Sequence, residues 1–562
     1  MRVERAAGGL SRAASFTIAG GMLALPVLFP PEIHPWSVIL CCLPAVAALG
    51  LLAVAPPARH GGFALALLIL APLAVAAVLL APARARALDE AAAFSLLLIA
   101  GVMGARLARE ARAAALVSAG LVILGTLAAV QGVLQHHIVY PQQLELLRAA
   151  AGPGPDGLMV RLAAGRPAGP FILPAVLGTF LAMALPSAIV LLLQARRTAV
   201  RVALCVVIAL QGYGLLLTRS FGAILAVFVA LLLLLPLLSR PARRLGATAI
   251  VVALVAGSGY FMHVRRAEIG HAPGSDPISL RLGNWQAAAG MIVDHPLFGV
   301  GPGAFGTSYT LYMRPGMNET RYAHNTPLQI VACWGVWALL PLGALLIGGV
   351  KAVRRMVAVS DQRLPLAAAA AAFVLHNLLD FGAYLPGIAI PGTLLIGMIL
   401  GAFPEEAASQ STLRGAIGVR IAAVSLAALC LLSVIVPQAR SRACLEAARD
   451  ASLTGDLARA SELAHLSAGI RPAWPDPWAF LAEMTLVHWR GDPVRWEAGE
   501  AASKRAVQLD PESAIRHYTR ALYHLAAGAA APAYREQAIA HRLFPLKELY
   551  FLPEAPGAGE EP

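Results

Sequence analysis

Four arginines and two histidines at the edges of long apolar runs have the side chains best suited to chemistry. Arg166 stands in Gly165-Arg166-Pro167-Ala168-Gly169-Pro170-Phe171 and Arg219 in Thr218-Arg219-Ser220-Phe221-Gly222. Arg281 opens Arg281-Leu282-Gly283-Asn284-Trp285, and Arg321 opens Arg321-Tyr322-Ala323-His324-Asn325. A guanidinium is a planar, permanently charged fork that matches the oxygens of a diphosphate. The competing reading is a solvated or headgroup-bound arginine. His324 lies just before an apolar run, where an imidazole can accept a proton near neutral pH. Asn325 is placed to orient it or to bind a hydroxyl; a purely structural interfacial histidine is the alternative. His376 and Asp380, in His376-Asn377-Leu378-Leu379-Asp380, are four residues apart. They share one helix face, and ionisable groups inside a span are costly unless they face a partner or a cavity. They are expected either to pair structurally or to support the site.

Other motifs are set aside on physical grounds. Gly299-Val300-Gly301-Pro302-Gly303 lacks the Lys and Ser/Thr of a phosphate-binding P-loop, so a tight turn is expected. His295, followed by Pro296, is expected in a turn. The six cysteines show no metal-like spacing and no disulfide framework, so no metal and no cofactor is expected.

The elements that position these residues follow from composition. The chain has 562 residues, 58% hydrophobic and 13% charged, against roughly 25% charged in soluble domains. Aromatics are only 6%, so the apolar excess is Ala, Leu and Val, a helix-forming membrane composition unlike β-barrel alternation. Thirteen spans are expected, near 13–30, 36–55, 62–81, 91–107, 113–134, 171–194, 199–217, 220–238, 245–263, 326–350, 364–384, 386–403 and 418–436. The net charge of +13 argues for topology and against nucleic acid, because most basic residues fall in alternate short gaps between spans. With the N-terminus in the cytoplasm, those gaps face inward. Arg166, Arg219, Arg281 and Arg321 then break the rule by standing on the outer side. Two long outer loops result, 135–170 and 264–325, and a long polar-plus-glycine loop is more often functional than idle.

After Pro437 charges return. Ile470-Arg471-Pro472, Leu509-Asp510-Pro511 and Leu543-Phe544-Pro545 recur at intervals of 39 and 34 residues, and Ala506 and Ala540 each stand five before a proline. The second interval is the tetratricopeptide period. The expected organisation is a transmembrane domain over 1–437, a tetratricopeptide-like array over 440–550 that serves a protein partner, and a disordered tail over 551–562.

Taken together, R-L-G-N-W, then D-H-P-L-F-G-V-G-P-G-A-F, then A-H-N-T-P-L-Q before a span resemble the O-antigen ligase/polymerase superfamily with the Wzy_C-type domain. The resemblance covers roughly 160–400. H-N-L-L-D-F is similar to the H-x-x-x-D-F motif of the branch with C-terminal tetratricopeptide repeats. The resemblance implies an all-helical membrane bundle of about 12–13 spans, similar to GT-C glycosyltransferases, with a large periplasmic loop. It implies a bacterial inner-membrane enzyme, independent of metal, with its repeat domain periplasmic and membrane lipids around it. Such an enzyme transfers glycan from an undecaprenyl-diphosphate-linked donor to a hydroxyl of a growing glycan, of lipid A core or of a protein. Polymerisation of a surface polysaccharide, O-antigen or exopolysaccharide, is the first expectation; ligation and protein O-glycosylation are alternatives, and small-solute transport is a more distant one. By resemblance His324 activates the acceptor hydroxyl and Arg281 holds the diphosphate. Arg219, Arg166 and Arg321 join in binding it, with Asn325, Trp285, His376 and Asp380 in support. Many members read T-x-S-R-G where this chain reads T-R-S-F-G, with Phe221 in the place of that arginine.

Overall fold

The structure is a computed structural model and describes residues 2–54, 72–110, 112–150, 157–269, 277–403, 417–489 and 491–550. The tail 551–562 and the first half of the expected span 62–81 lie outside the described residues. Among the described residues all regular structure is helical, and the chain is a polytopic helical membrane protein. Among the described residues, seven helices are long and apolar enough to cross a membrane: Ser11–Leu28, Arg84–Leu107, Ala113–Ala149, Pro174–Gln194, Thr198–Leu217, Val336–Ala358 and Ala427–Leu453. Four shorter apolar helices, Ser37–Leu51, Phe221–Leu237, Leu364–Asn377 and Pro386–Leu400, coincide with further expected spans. The expected span 245–263 falls within the Arg240–Ile269 helix.

The chain folds as two compact units. The first comprises Met1–Gly62, Phe94–Gly270 and Leu342–Leu432. Its centre is the Pro174–Gln194 helix, 78% buried, whereas Thr198–Leu217 is 17% buried and leaves most of its apolar surface for lipid. Around the central helix pack Ala113–Leu134, Thr198–Leu217, Phe221–Leu231 and Leu364–Asn377. Apolar side chains gain little by leaving lipid for one another, so close backbone packing and hydrogen bonds must hold helices together. Both occur here. A Cβ on Gly397 would strike the Gly101 carbonyl, and one on Gly104 would strike the Leu394 carbonyl, so small residues bring these two helices into backbone contact. The fully buried Gln211 donates from Nε2 to the Val122 carbonyl at 3.0 Å and to Thr126 Oγ1 at 3.1 Å.

The second unit comprises Phe63–Ala93, His271–Pro341 and Ser433–Pro562. Much of what the sequence presents as the loop 264–325 is helical here, with helices at Pro277–Asp294 and Phe305–Tyr312. Tyr309 ties them together by donating to Asn284 Oδ1 at 2.7 Å. The expected span 326–350 is broken. Thr326–Trp334 ends at Gly335, whose φ of 93° reverses the backbone, and the spanning helix starts at Val336. Gly299, Gly301 and Gly303 all have positive φ, so the glycine-rich stretch is the expected tight turn. Its Val300 and Gly301 amides donate to the Ala332 and Cys333 carbonyls, and the Gly303 amide donates to Glu90 Oε2 at 2.9 Å. These N–H groups are therefore spent within the fold and cannot cradle phosphate.

The helix from Ile417 to Leu453 runs through Pro437 without a break. Five helices follow, Leu457–Ile470, Pro475–His488, Pro493–Leu509, Ala514–Ala526 and Ala530–Leu543, and consecutive ones pack together. Pro472, Pro511 and Pro545 each fall two residues past a helix end, where a proline stops the helix. The residue five before each proline, Ser467, Ala506 or Ala540, is buried. Asp456 and Asp492 cap their helices through side-chain oxygens.

Candidate functional site

The expected site residues divide between the two units. In the second, His324 has φ 54°, a left-handed conformation in which a Cβ crowds the backbone and which costs roughly 1–3 kcal/mol for a non-glycine residue. The residues on either side of His324 show how the conformation is imposed. The Ala323 amide donates to Gln329 Oε1 at 2.8 Å, which ties the preceding segment to the start of the helix. Asn325 is the N-cap of Thr326–Trp334, its Oδ1 accepting from the Leu328 amide at 3.0 Å. With both neighbours held by these bonds, the chain turns through a left-handed residue at 324. Asn325 thus positions His324 through the backbone, and Gln329, which sequence reasoning passed over, does the same from the other side. A glutamine one turn into a helix, following a capping asparagine, was the available signal.

Arg281 and Asn284 are three apart on the Pro277–Asp294 helix and so share a face. Burial raises the Tyr309 phenol above its ordinary range, so it remains the donor to Asn284. Arg321 is exposed, its backbone resting against Gly306 of the Phe305–Tyr312 helix. Neither Arg281 nor Arg321 has an ion pair among the described residues, in contrast to three arginines of the same unit. Arg86, Arg471 and Arg516 are bound to Asp476, Asp89 and Asp510. Carboxylate-bound arginines are committed to the fold; Arg281 and Arg321 retain the charge that an anionic ligand needs. Trp285 is half-buried on the same helix, and His295 is exposed in a turn.

In the first unit, Arg219 lies at the turn between Thr198–Leu217 and Phe221–Leu231 and has φ 49°. Glycine usually occupies this position after a helix, because it tolerates the left-handed backbone. Thr218 closes the turn: its hydroxyl donates to the Leu215 carbonyl at 2.6 Å and accepts from the Ser220 amide at 3.2 Å. Arg166 Nε donates to the Thr218 carbonyl at 2.9 Å, so the structure brings Arg166 to the Arg219 turn.

His376 is buried behind that turn. Thr179 Oγ1 donates to the Ala175 carbonyl, so at 2.6 Å it accepts from His376 Nδ1–H. That assignment leaves Nε2 facing Ser220 Oγ at 3.4 Å and Asp380 Oδ2 at 3.8 Å. The helix ends at Asn377, whose amide group donates to the Phe373 carbonyl and accepts from the Ala383 amide. Asp380 therefore reaches His376 from the turn beyond the helix. A Cβ on Gly222 would approach His376 Nε2 to 3.1 Å, which is why a glycine stands there. Thr179 and Ser220, missed in the sequence, are ordinary polar residues in apolar surroundings and carry no pattern of their own.

Residues 204–343 match the family model Wzy_C, described as O-Antigen ligase. The matched stretch contains Arg219, Arg281, Trp285, Arg321, His324 and Asn325; Arg166, His376 and Asp380 lie outside it. No curated protein and no solved structure matches the chain. The family match supports a glycan-transferring role in polysaccharide assembly.

Proposed function

We propose that the protein transfers glycan from a lipid-diphosphate-linked donor, of the undecaprenyl type, to an acceptor hydroxyl at the outer face of the bacterial inner membrane. The observation that carries this reading is the left-handed backbone at His324, a non-glycine residue inside the family match whose conformation is imposed from both sides. Strain of this kind collects at functional sites. In this reading His324 takes the proton of the attacking hydroxyl, with the imidazole held where its side chain must project. Arg281 binds the donor diphosphate and stabilises the charge that builds as it leaves, and Arg166, Arg219 and Arg321 are read as diphosphate-binding residues as well. His376 and Asp380 keep the Arg219 turn in shape. A diphosphate is already a good leaving group, and neither metal nor nucleotide enters the scheme.

Polymerisation of a surface polysaccharide is the outcome we favour, on the H-N-L-L-D-F motif and the C-terminal helical array, which we take to be tetratricopeptide-like and periplasmic. The description of the matched family favours ligation as the second reading. Deletion of the gene separates the two. Accumulation of single lipid-linked repeat units supports a polymerase, and accumulation of long lipid-linked chains supports a ligase. Accumulation of neither overturns the transfer reading.

A further inference from the structure

The Ala113–Leu134 helix does not end where its apolar run ends. It passes through a single wide turn, Gln135–Val139, with the sequence Gln-His-His-Ile-Val, and continues as Tyr140–Ala150. Such π turns are rare and are frequently found at functional sites. In this one, two consecutive side chains reach the same loop. Gln135 Nε2 donates to the Gly169 carbonyl at 2.8 Å, while its Oε1 accepts from the Gly169 amide at 2.8 Å and the Ala168 amide at 3.1 Å. Its side-chain amide thus pairs with the backbone as a neighbouring peptide would. His136 Nδ1 lies 2.5 Å from the Gly165 carbonyl, and because a carbonyl only accepts, Nδ1 carries the proton. Gly165 has φ 63°, and a Cβ there would come within 3.3 Å of the His136 ring. The two side chains grip the loop at 165 and at 168–169, on either side of Arg166.

We propose that Gln135 and His136 are positioning residues of the anion site, acting through Arg166. The chain of contacts is continuous. The π turn fixes the 165–169 loop, the loop fixes Arg166, and Arg166 binds the carbonyl of Thr218, the residue before Arg219. One polar turn therefore sets the spacing of two cations. The inference rests on the reading that Arg166 and Arg219 bind the donor diphosphate.

The test uses the full chain in detergent micelles, titrated with undecaprenyl diphosphate, together with donor and acceptor KM in a transfer assay. Gln135→Leu and His136→Ala are expected to weaken binding of undecaprenyl diphosphate ~10-fold each and to raise donor KM in parallel. His136→Gln, which can still donate to the Gly165 carbonyl, restores most of the loss. Acceptor KM stays unchanged, which a general loosening of the fold would not allow. Arg166→Ala separates the two claims. If it abolishes binding while Gln135→Leu and His136→Ala bind as the parent does, the positioning role is wrong and the diphosphate reading stands. If Arg166→Ala itself binds as the parent does, the diphosphate reading of Arg166 fails and the inference fails with it. Should Gln135→Leu not extract as a folded protein, the His136 pair decides: loss in His136→Ala with rescue in His136→Gln supports the role, and no difference between them overturns it.

Discussion

Arg219 and His324 keep long side chains at backbone positions where glycine would be more comfortable, and this sets stability against activity at each. His324→Gly relieves the strain, so it should be more stable than His324→Ala by about 1 kcal/mol. Both should lose transfer by roughly 10²–10⁴-fold, the usual worth of a positioned general base. Thermal unfolding in detergent and a transfer assay on the same preparations test this. A His324→Gly protein with parental activity would remove histidine from the mechanism, and equal stability of the two variants would remove the strain. Arg219→Gly should likewise stabilise its turn by about 1 kcal/mol while weakening donor binding. Arg281→Lys keeps the charge but loses the planar fork, so donor binding should fall without loss of fold. At this scale the sequence marks candidates, because arginines and a histidine among apolar residues are conspicuous. The backbone angles that distinguish His324 from His295 were not legible, since they depend on Gln329 and on the Asn325 cap acting together.

Gly335 shows how one residue decides where an element begins. Hydropathy runs on through 326–350, so the sequence presents one span, yet φ of 93° at Gly335 divides it into a capped short helix and a spanning one. A Cβ at Gly335 would run into the Leu297 carbonyl, and the Val336 amide beside it donates to the Pro296 carbonyl at 2.9 Å. Gly335→Ala should therefore prevent the 296–303 turn from packing on the Thr326–Trp334 helix, measured as loss of monodisperse protein after extraction. Normal yield would show that the contact is dispensable. Periodicity located the long spans because twenty apolar residues have few alternatives to a membrane helix. It missed the Pro277–Asp294 and Phe305–Tyr312 helices, which mix apolar with polar residues. The π turn at Gln135 was equally hidden. Three polar residues closing an apolar run looked like the end of a span, and only the bonds to residues 165–169 show why the helix goes on.

Within the second unit, contacts distant in sequence join the C-terminal helices to the segments around Arg86 and Phe305–Tyr312, and no local pattern foretells them. Arg86 and Asp476 are 390 positions apart and pair at 3.2 Å. Arg86 and Arg516 both contact Asp476 and Asp510, while Thr310 Oγ1 donates to the Leu543 carbonyl at 2.9 Å. The hint in the sequence was the cluster Arg84, Arg86, Asp89 and Glu90 leading into an apolar helix, too many charges for lipid. Breaking a buried pair leaves a charge uncompensated, so Arg516→Met should destabilise this unit by about 3 kcal/mol. The same charges give the unit a dependence on pH. Burial pushes the Asp476 carboxyl up, but Arg86 and Arg516 outweigh it and hold it below 3.8; the His517 hydrogen bond holds Glu536 below 4.5. These two stabilise the fold above their ordinary values, and that contribution is lost as pH falls through their depressed ones. Burial raises Glu483 and Glu512 above 4.5, so the folded state takes up their protons first and gains stability as pH falls towards that range. Protection of peptides from 475–545 against hydrogen exchange, in the full chain and corrected for intrinsic rate, should therefore rise as pH falls from 7 towards the glutamate range and be lost only below 3.8, as Asp476 is protonated. Protection that only fell from pH 7 downward would show that the buried glutamates do not govern the neutral range. Protection that persisted below the range of Asp476 would show that the arginine pairs do not hold the unit together.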